Sequence, residues 1–140
     1  TNSENTTGKV ILRAAGTNTL YVSSNGTVGI GTDDTKGYKL GVDGGIICEE
    51  LKVKNSTNWP DYVFEKDYQL KDIDEMQSFI KCNNHLPGIP SAAEMNEKGI
   101  DVGEMQKMLL QKVEELSLYV ISLKEQNDLL NAKVEQLNKN

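Results

Sequence analysis

Aromatic side chains are scarce in this 140-residue chain, at 6% of the sequence, and hydrophobic residues of all kinds make up only 37%. A compact monomer would have little with which to fill a large interior. The length suits one modest domain, or two small pieces plus an extended element, and burial between chains would supply what burial within one chain lacks. Basic runs are missing as well. Fifteen Lys and Arg stand against 21 Asp and Glu, a formal net charge of −6. Such an acidic surface repels phosphate backbones and anionic lipid, so neither nucleic acid nor membrane insertion is expected. No stretch of about twenty apolar residues is present to span a bilayer, and no charged-then-apolar-then-small pattern opens the chain. The sequence starts at Thr1 rather than Met, which reads as an excised piece whose secretion signal could have stood in the missing part.

Site chemistry is equally sparse. The two cysteines, Cys48 and Cys82, lie far apart and outside any metal-spaced cluster, and read as buried or half-buried thiols rather than a disulfide. His85 has no second His and no paired Cys near it, so no metal site is expected. The Gly-rich stretch around Gly29-Ile30-Gly31 invites a phosphate-loop reading. It fails, because Thr32, Asp33 and Asp34 follow where a third Gly is needed, and two carboxylates would repel pyrophosphate. Asp33-Asp34 lacks the spaced oxygen ligands of a calcium loop and reads as turn-forming. No pair of acids stands out for glycoside hydrolysis. The expectation is therefore no cofactor, no metal and no enzymatic activity.

What the chain does contain divides into stretches of different texture. Residues 1–8 are polar and read as a flexible lead-in. From 9 to 54, short β-type runs alternate with turn residues: VILRA (10–14), TLYVS (19–23), TVGIG (27–31), YKLGV (38–42) and GIICEELKV (45–53). Asn25-Gly26 between two of them predicts a tight hairpin with positive φ at both central positions. The dense glycines suit close approach of backbones around an axis. Val28 and Ile30, separated by Gly29, would then turn one apolar edge toward that axis.

From 55 to 100 the text becomes helical, with N-terminal capping pairs at Asp72/Glu75 and Ser91/Glu94, and a third at Asp101/Glu104 opening the final stretch. The first predicts a short helix with Ile73, Met76 and Ile80 on one face, stopped by Asn83-Asn84. Leu86-Pro87-Gly88-Ile89-Pro90 forbids helix, and a second short helix runs from Ala92 to Gly99. Trp59, Tyr62, Phe64 and Tyr68 cluster just upstream and read chiefly as core. Trp59 and Tyr62 are also candidates for stacking on a glycan.

The stretch 101–140 reads as a parallel coiled coil. With Val113 at position a, the a column is Gln106, Val113, Val120, Asn127 and Val134, and the d column is Val102, Leu109, Leu116, Leu123, Leu130 and Leu137. A near-unbroken Leu column over roughly 50 Å of helix exceeds what packing on a small domain needs. Val at a with Leu at d favours two strands, as does Asn127 at a. Against this, Met105, Leu110, Leu118, Tyr119 and Ile121 are apolar outside the seam, as a third helix or a packed-back neighbour would require. Facing g and e positions, such as Lys112 with Ser117, carry no opposite charges. The helix alone leaves two and three strands open.

TVGIGT (27–32) followed by KLGVDG (39–44) resembles the repeated shaft motif of bacterial and phage fibre proteins, which is associated with trimeric, intertwined β-structure. WPDYVFEKDYQL (59–70), HLPGIPSAAEM (85–95) and GIDVGEMQKMLLQKVEELSLYVISL (99–123) are similar to the C-terminal domain of Bacteroidetes tail-fibre proteins. The resemblance covers the chain from about Gly26 onward. It implies a homotrimer, an extracellular place on a phage or phage-like particle or a secreted surface protein, and attachment to a cell-surface receptor or glycan. That C-terminal domain also resembles, more distantly, the intramolecular chaperone of endosialidase tailspikes, whose self-cleaving members use Ser followed by Asp with a Lys a few residues on. Here Ser56 is followed by Thr57, and Asp61 stands where the Lys would be, so self-cleavage is not expected. The fold expected from all of this is α+β and elongated: an intertwined trimeric β shaft, short capping helices and a C-terminal coil.

Overall fold

The computed structural model describes residues 2–6, 8–14, 17–54 and 59–139, with the backbone alone at 2–6, 14, 17 and 18. The chain is α+β and divides into two units, Thr1–Leu51 and Lys52–Asn140. Ser56 and Thr57, where the cleavage dyad was sought, lie outside the described residues.

The first unit is a five-stranded sheet in sequential order: β1 (Asn2–Thr6), β2 (Lys9–Ala14), β3 (Thr17–Val22), β4 (Val28–Ile30) and β5 (Leu40–Val42). The first four strands run antiparallel, and β5 joins β4 in parallel. The lead-in expected to be flexible is thus partly a strand, in register with β2 from Asn2↔Arg13 to Thr6↔Lys9. Backbone ladder bonds do not depend on side-chain polarity, so a polar segment can close the edge of β2. The run at 45–53 is not a strand in this chain. It forms no regular element, and Ile46, Ile47 and Leu51 are exposed.

The hairpin at Asn25-Gly26 forms with a different turn from the one its sequence suggests. Gly26 donates to the Ser23 carbonyl at 3.1 Å, and Ser23 donates to the Thr27 carbonyl at 2.9 Å. Gly26 alone is left-handed, at φ +78°, while Asn25 is not. This is a three-residue loop with its glycine at the bulge position. Asn25 contributes its side chain instead, accepting from the Thr27 amide at 3.3 Å and from the Ser23 hydroxyl.

The β4–β5 connection explains two of the glycines. Gly29 and Gly41 are register partners, and together they leave a bare patch on one face of the sheet. The segment Thr32–Thr35 folds onto that patch: a Cβ on Gly29 would fall 2.0 Å from the Thr32 carbonyl oxygen, and one on Gly41 2.9 Å from Thr35 Cα. Thr35 is buried as a result. At these two glycines the close backbone approach is made within one chain, through a loop short enough to replace the usual crossover helix of a parallel pair. Asp34 shapes that loop by accepting from the Lys36 amide at 2.9 Å, with Lys36 at φ +51°.

The second unit holds a 3-10 helix (Pro60–Phe64), α1 (Ile73–Asn83), α2 (Ala92–Lys98) and α3 (Val102–Leu137). Asp72 caps α1 by accepting from the Asp74 amide rather than from Glu75. Asn84, left-handed at φ +57°, ends it. The Ser91/Glu94 box on α2 is reciprocal, and Asp101 caps α3 through the Glu104 amide at 2.9 Å. α3 has the extent the heptad count predicts, 36 residues. Both cysteines are free and exposed rather than buried.

Gly29→Ala is expected to destabilise the sheet unit by about 2 kcal/mol or more, because the methyl group meets backbone and not a yielding side chain. Gly45→Ala, with no atom within 4 Å of its added carbon, should leave the thermal melt unchanged and serves as the control.

Candidate oligomerisation surfaces

The side chains of these elements bury little within one chain. Among the described residues the buried hydrophobic side chains are Ile11 and Val63, with Pro60 the other large side chain fully enclosed. The remaining aliphatics form two patterned surfaces, one in each unit.

On the sheet, strand alternation and register place aliphatics in two rows on the face opposite Gly29 and Gly41. Val10, Val22, Val28 and Leu40 form one row, and Leu12, Leu20, Ile30 and Val42 the other. None of the eight is buried. So uniformly apolar a face, none of it buried, is a candidate interaction surface. Val28 and Ile30 share an edge by strand alternation alone, whereas the other six align with them only through the pairing register.

On α3 every predicted seam position lies open in the single chain. Val102, Leu109, Val113, Leu116, Val120, Leu123, Leu130, Val134 and Leu137 range from 46% to 74% exposed, and Gln106 and Asn127 are exposed too. Asn127 accepts a hydrogen bond at 2.7 Å from Asn131, one turn on.

The opposite flank of α3 is occupied by the chain itself. Pro60 and Val63 of the 3-10 helix pack there. The Tyr62 hydroxyl donates to Gln111 Oε1 at 2.9 Å, and the Tyr68 hydroxyl donates to Glu115 Oε1 at 2.6 Å. Gln111 Nε2 donates to both Tyr68 and Glu115, and Lys112 Nζ reaches Glu115 Oε2 at 2.8 Å. The Tyr119 hydroxyl donates to the Lys71 carbonyl. The tyrosines thus brace α3 through their hydroxyls. Phe64, expected in the core, is 58% exposed, since the 3-10 turn points Val63 inward in its place. Trp59 and Tyr62 both remain partly exposed.

This bracing fixes the local ionisation. Burial pushes the Tyr68 phenol up to about 12, helped by its bond to Glu115. For Glu115 burial acts upward, but the bonds from Lys112, Tyr68 and Gln111 outweigh it and hold the carboxyl below its usual range. Glu114 goes the other way, raised by burial and by nearby Asp61. Its Oε2 meets no hydrogen-bond partner among the described residues.

Two outcomes follow from these charges. The Tyr68 proton is stabilised by folding, so its contribution is complete below the ordinary phenol value near ~10 and is lost as pH rises toward about 12. Melting midpoints measured from pH 9 to 12 should therefore fall less steeply in Tyr68→Phe than in the parent chain. Glu114→Gln removes a buried charge without changing shape, and should raise the midpoint at pH 7.5 by on the order of a few degrees. That gain should vanish near pH 4, where the parent carboxyl is itself protonated.

Among the described residues no three of His, Cys, Asp and Glu gather to hold a metal, and no helix is long and apolar enough to cross a membrane. No family model, curated protein or solved structure matches the chain.

Proposed function

We propose that the chain is a structural segment of a homotrimeric fibre, with α3 as a parallel coiled coil and the sheet unit contributing to a β shaft. The observation that carries this reading is the scarcity of internal burial. Among the described residues Ile11 and Val63 are the buried hydrophobics, while none of the eight aliphatics on the sheet face or the nine on the seam is buried. A chain that leaves its aliphatic residues outside, arranged with the period of a sheet on one unit and of a coiled coil on the other, is complete only when other chains cover them.

The number three rests on the fibre resemblance of TVGIGT, KLGVDG and the cap motifs. Tyr119 no longer favours a third helix, since it is engaged by residue 71 of its own chain. In the assembly, the coil brings chains into register and raises their effective concentration, which lowers the entropy cost of starting the shaft. The role is that of a scaffold in an extracellular particle or surface fibre, with no catalytic step.

A second reading, contact with a cell-surface glycan, has one observation in its favour. Tyr62 and Tyr68, with ring centroids 6.0 Å apart, line a cleft of about 230 Å³ with Glu65, Asp67 and Gln69. Its size fits a single sugar ring better than an oligosaccharide. Tyr62→Ala would abolish adsorption to glycan under this reading, whereas a purely structural role predicts a lower melting temperature with adsorption unchanged.

Light scattering should return three times 15.5 kDa for the parent chain, and a monomer at micromolar concentration would refute the proposal. Leu116→Asp places a charge in the seam and is expected to weaken association by about a hundredfold or more. Truncation after Gly99 should slow or abolish assembly, and an equally rapid, stable trimer would remove the nucleating role of the coil.

A further inference from the structure

Asn25-Gly26 is the single Asn-Gly pair in the sequence, and it stands exposed at the tip of the β3–β4 hairpin. Glycine leaves the nitrogen that follows an asparagine unshielded, because it has no Cβ. That nitrogen can close a five-membered ring on the asparagine side chain, since the two reacting groups are already joined by a short stretch of chain. The pair is reactive wherever the backbone is free to bend into the ring.

In this turn it is not free. The Gly26 N–H is held by the Ser23 carbonyl at 3.1 Å. An amide whose proton is shared with a carbonyl cannot give it up to base and turn its lone pair on a neighbour at the same time. The Asn25 side chain is held as well. Its Oδ1 accepts from the Thr27 amide at 3.3 Å, from the Thr27 hydroxyl at 3.1 Å and from the Ser23 hydroxyl. The two hydroxyls are themselves 2.8 Å apart, and the Thr27 amide also reaches Ser23 Oγ at 3.2 Å. Nucleophile and electrophile are thus tied to Ser23 and Thr27, the residues that close the loop, rather than to one another.

We propose that Asn25 is a site of spontaneous deamidation whose rate this turn governs, so that the modification proceeds only when the hairpin loop opens. Base removes the Gly26 amide proton, the nitrogen bonds to Asn25 Cγ, and the Cγ–Nδ2 bond breaks to release ammonia. Water then opens the cyclic imide at either carbonyl. One opening restores the main chain and leaves an aspartate. The other routes the main chain through the side-chain methylene and leaves an isoaspartate. Each adds one negative charge to the net −6, but their consequences differ. The aspartate keeps an oxygen for Ser23 and Thr27 to donate to, and Lys39 Nζ, 3.7 Å from the place a Cβ on Gly26 would take, brings a cation to the same turn. The isoaspartate adds a backbone carbon to a three-residue loop, which displaces the Ser23–Thr27 closing pair and loosens the β3–β4 register at Val22↔Val28.

The test follows the Asn25 peptide by mass after incubating the whole chain at mildly alkaline pH, folded and in urea, with the two products separated by fragmentation. Conversion should be slower in the folded chain by about tenfold or more. Ser23→Ala with Thr27→Val removes both hydroxyls and should speed conversion several-fold in the folded chain, while leaving the rate in urea unchanged. Hydrogen exchange at the Gly26 amide reads the opening itself. Across parent and variant, conversion should rise by the same factor as that exchange, even where a substitution loosens the whole sheet. A folded chain that converts as fast as the unfolded one overturns the proposal. One that converts faster overturns it too, with the donors at Oδ1 then acting as an oxyanion hole. Conversion that stays constant while Gly26 exchange rises is equally fatal to it.

Discussion

Apolar surface that cannot be buried inside one chain is the constraint on which the rest of this molecule depends. Removing such surface from water is worth roughly 25 cal/mol per Å², and it is the main favourable contribution to folding in any domain. Here the aliphatics are present but stand on the outside of each element. Strand alternation collects eight on one face of the sheet, and heptad spacing collects nine along one edge of α3. Each set has the spacing of a packing surface, and none of its members is buried.

The opposite sides of the same elements are finished within the chain. Behind the sheet's aliphatic face, Thr32–Thr35 closes over Gly29 and Gly41 with backbone-to-backbone contact. Behind the seam, Pro60 and Val63 pack on α3, and Tyr62, Tyr68 and Tyr119 tie their hydroxyls to Gln111, Glu115 and the residue-71 carbonyl. The division has a mechanical consequence. With one flank of α3 held by hydrogen bonds of defined direction, the helix cannot present that flank to a partner, so the a/d edge is what remains available. Glu114 lies beneath this brace with an orphan oxygen and Asp61 nearby. Among the described residues it is the buried group whose charge works against the packing around it.

Under the fibre reading, these features separate two tasks. The finished sides make each chain a defined part, and the open sides make it dependent on its copies.

Several features were legible from residues alone because local chemistry decides them. The limits of α3 follow from Asp101 as cap and an unbroken 3.5-residue period. The ends of α1 follow from Asp72 and from Asn84 taking a left-handed conformation, and the hairpin around Gly26 follows from its flanking β-branched runs. Where the outcome depends on what a segment meets, the sequence was silent or misleading. The polar segment Asn2–Thr6 is a strand because β2 offers it an edge, and 45–53 has strand composition but pairs with none of the described strands. Phe64, expected in the core, is exposed while Val63 is buried, because a 3-10 turn rotates the side chains. Sequence by itself determined the periods, the caps and the bare edge of Gly29, all of which are set within a few residues by backbone sterics and side-chain spacing. Tertiary structure alone decided which face of each element is already covered, because burial is a property of the surface opposite, and that surface is distant in sequence.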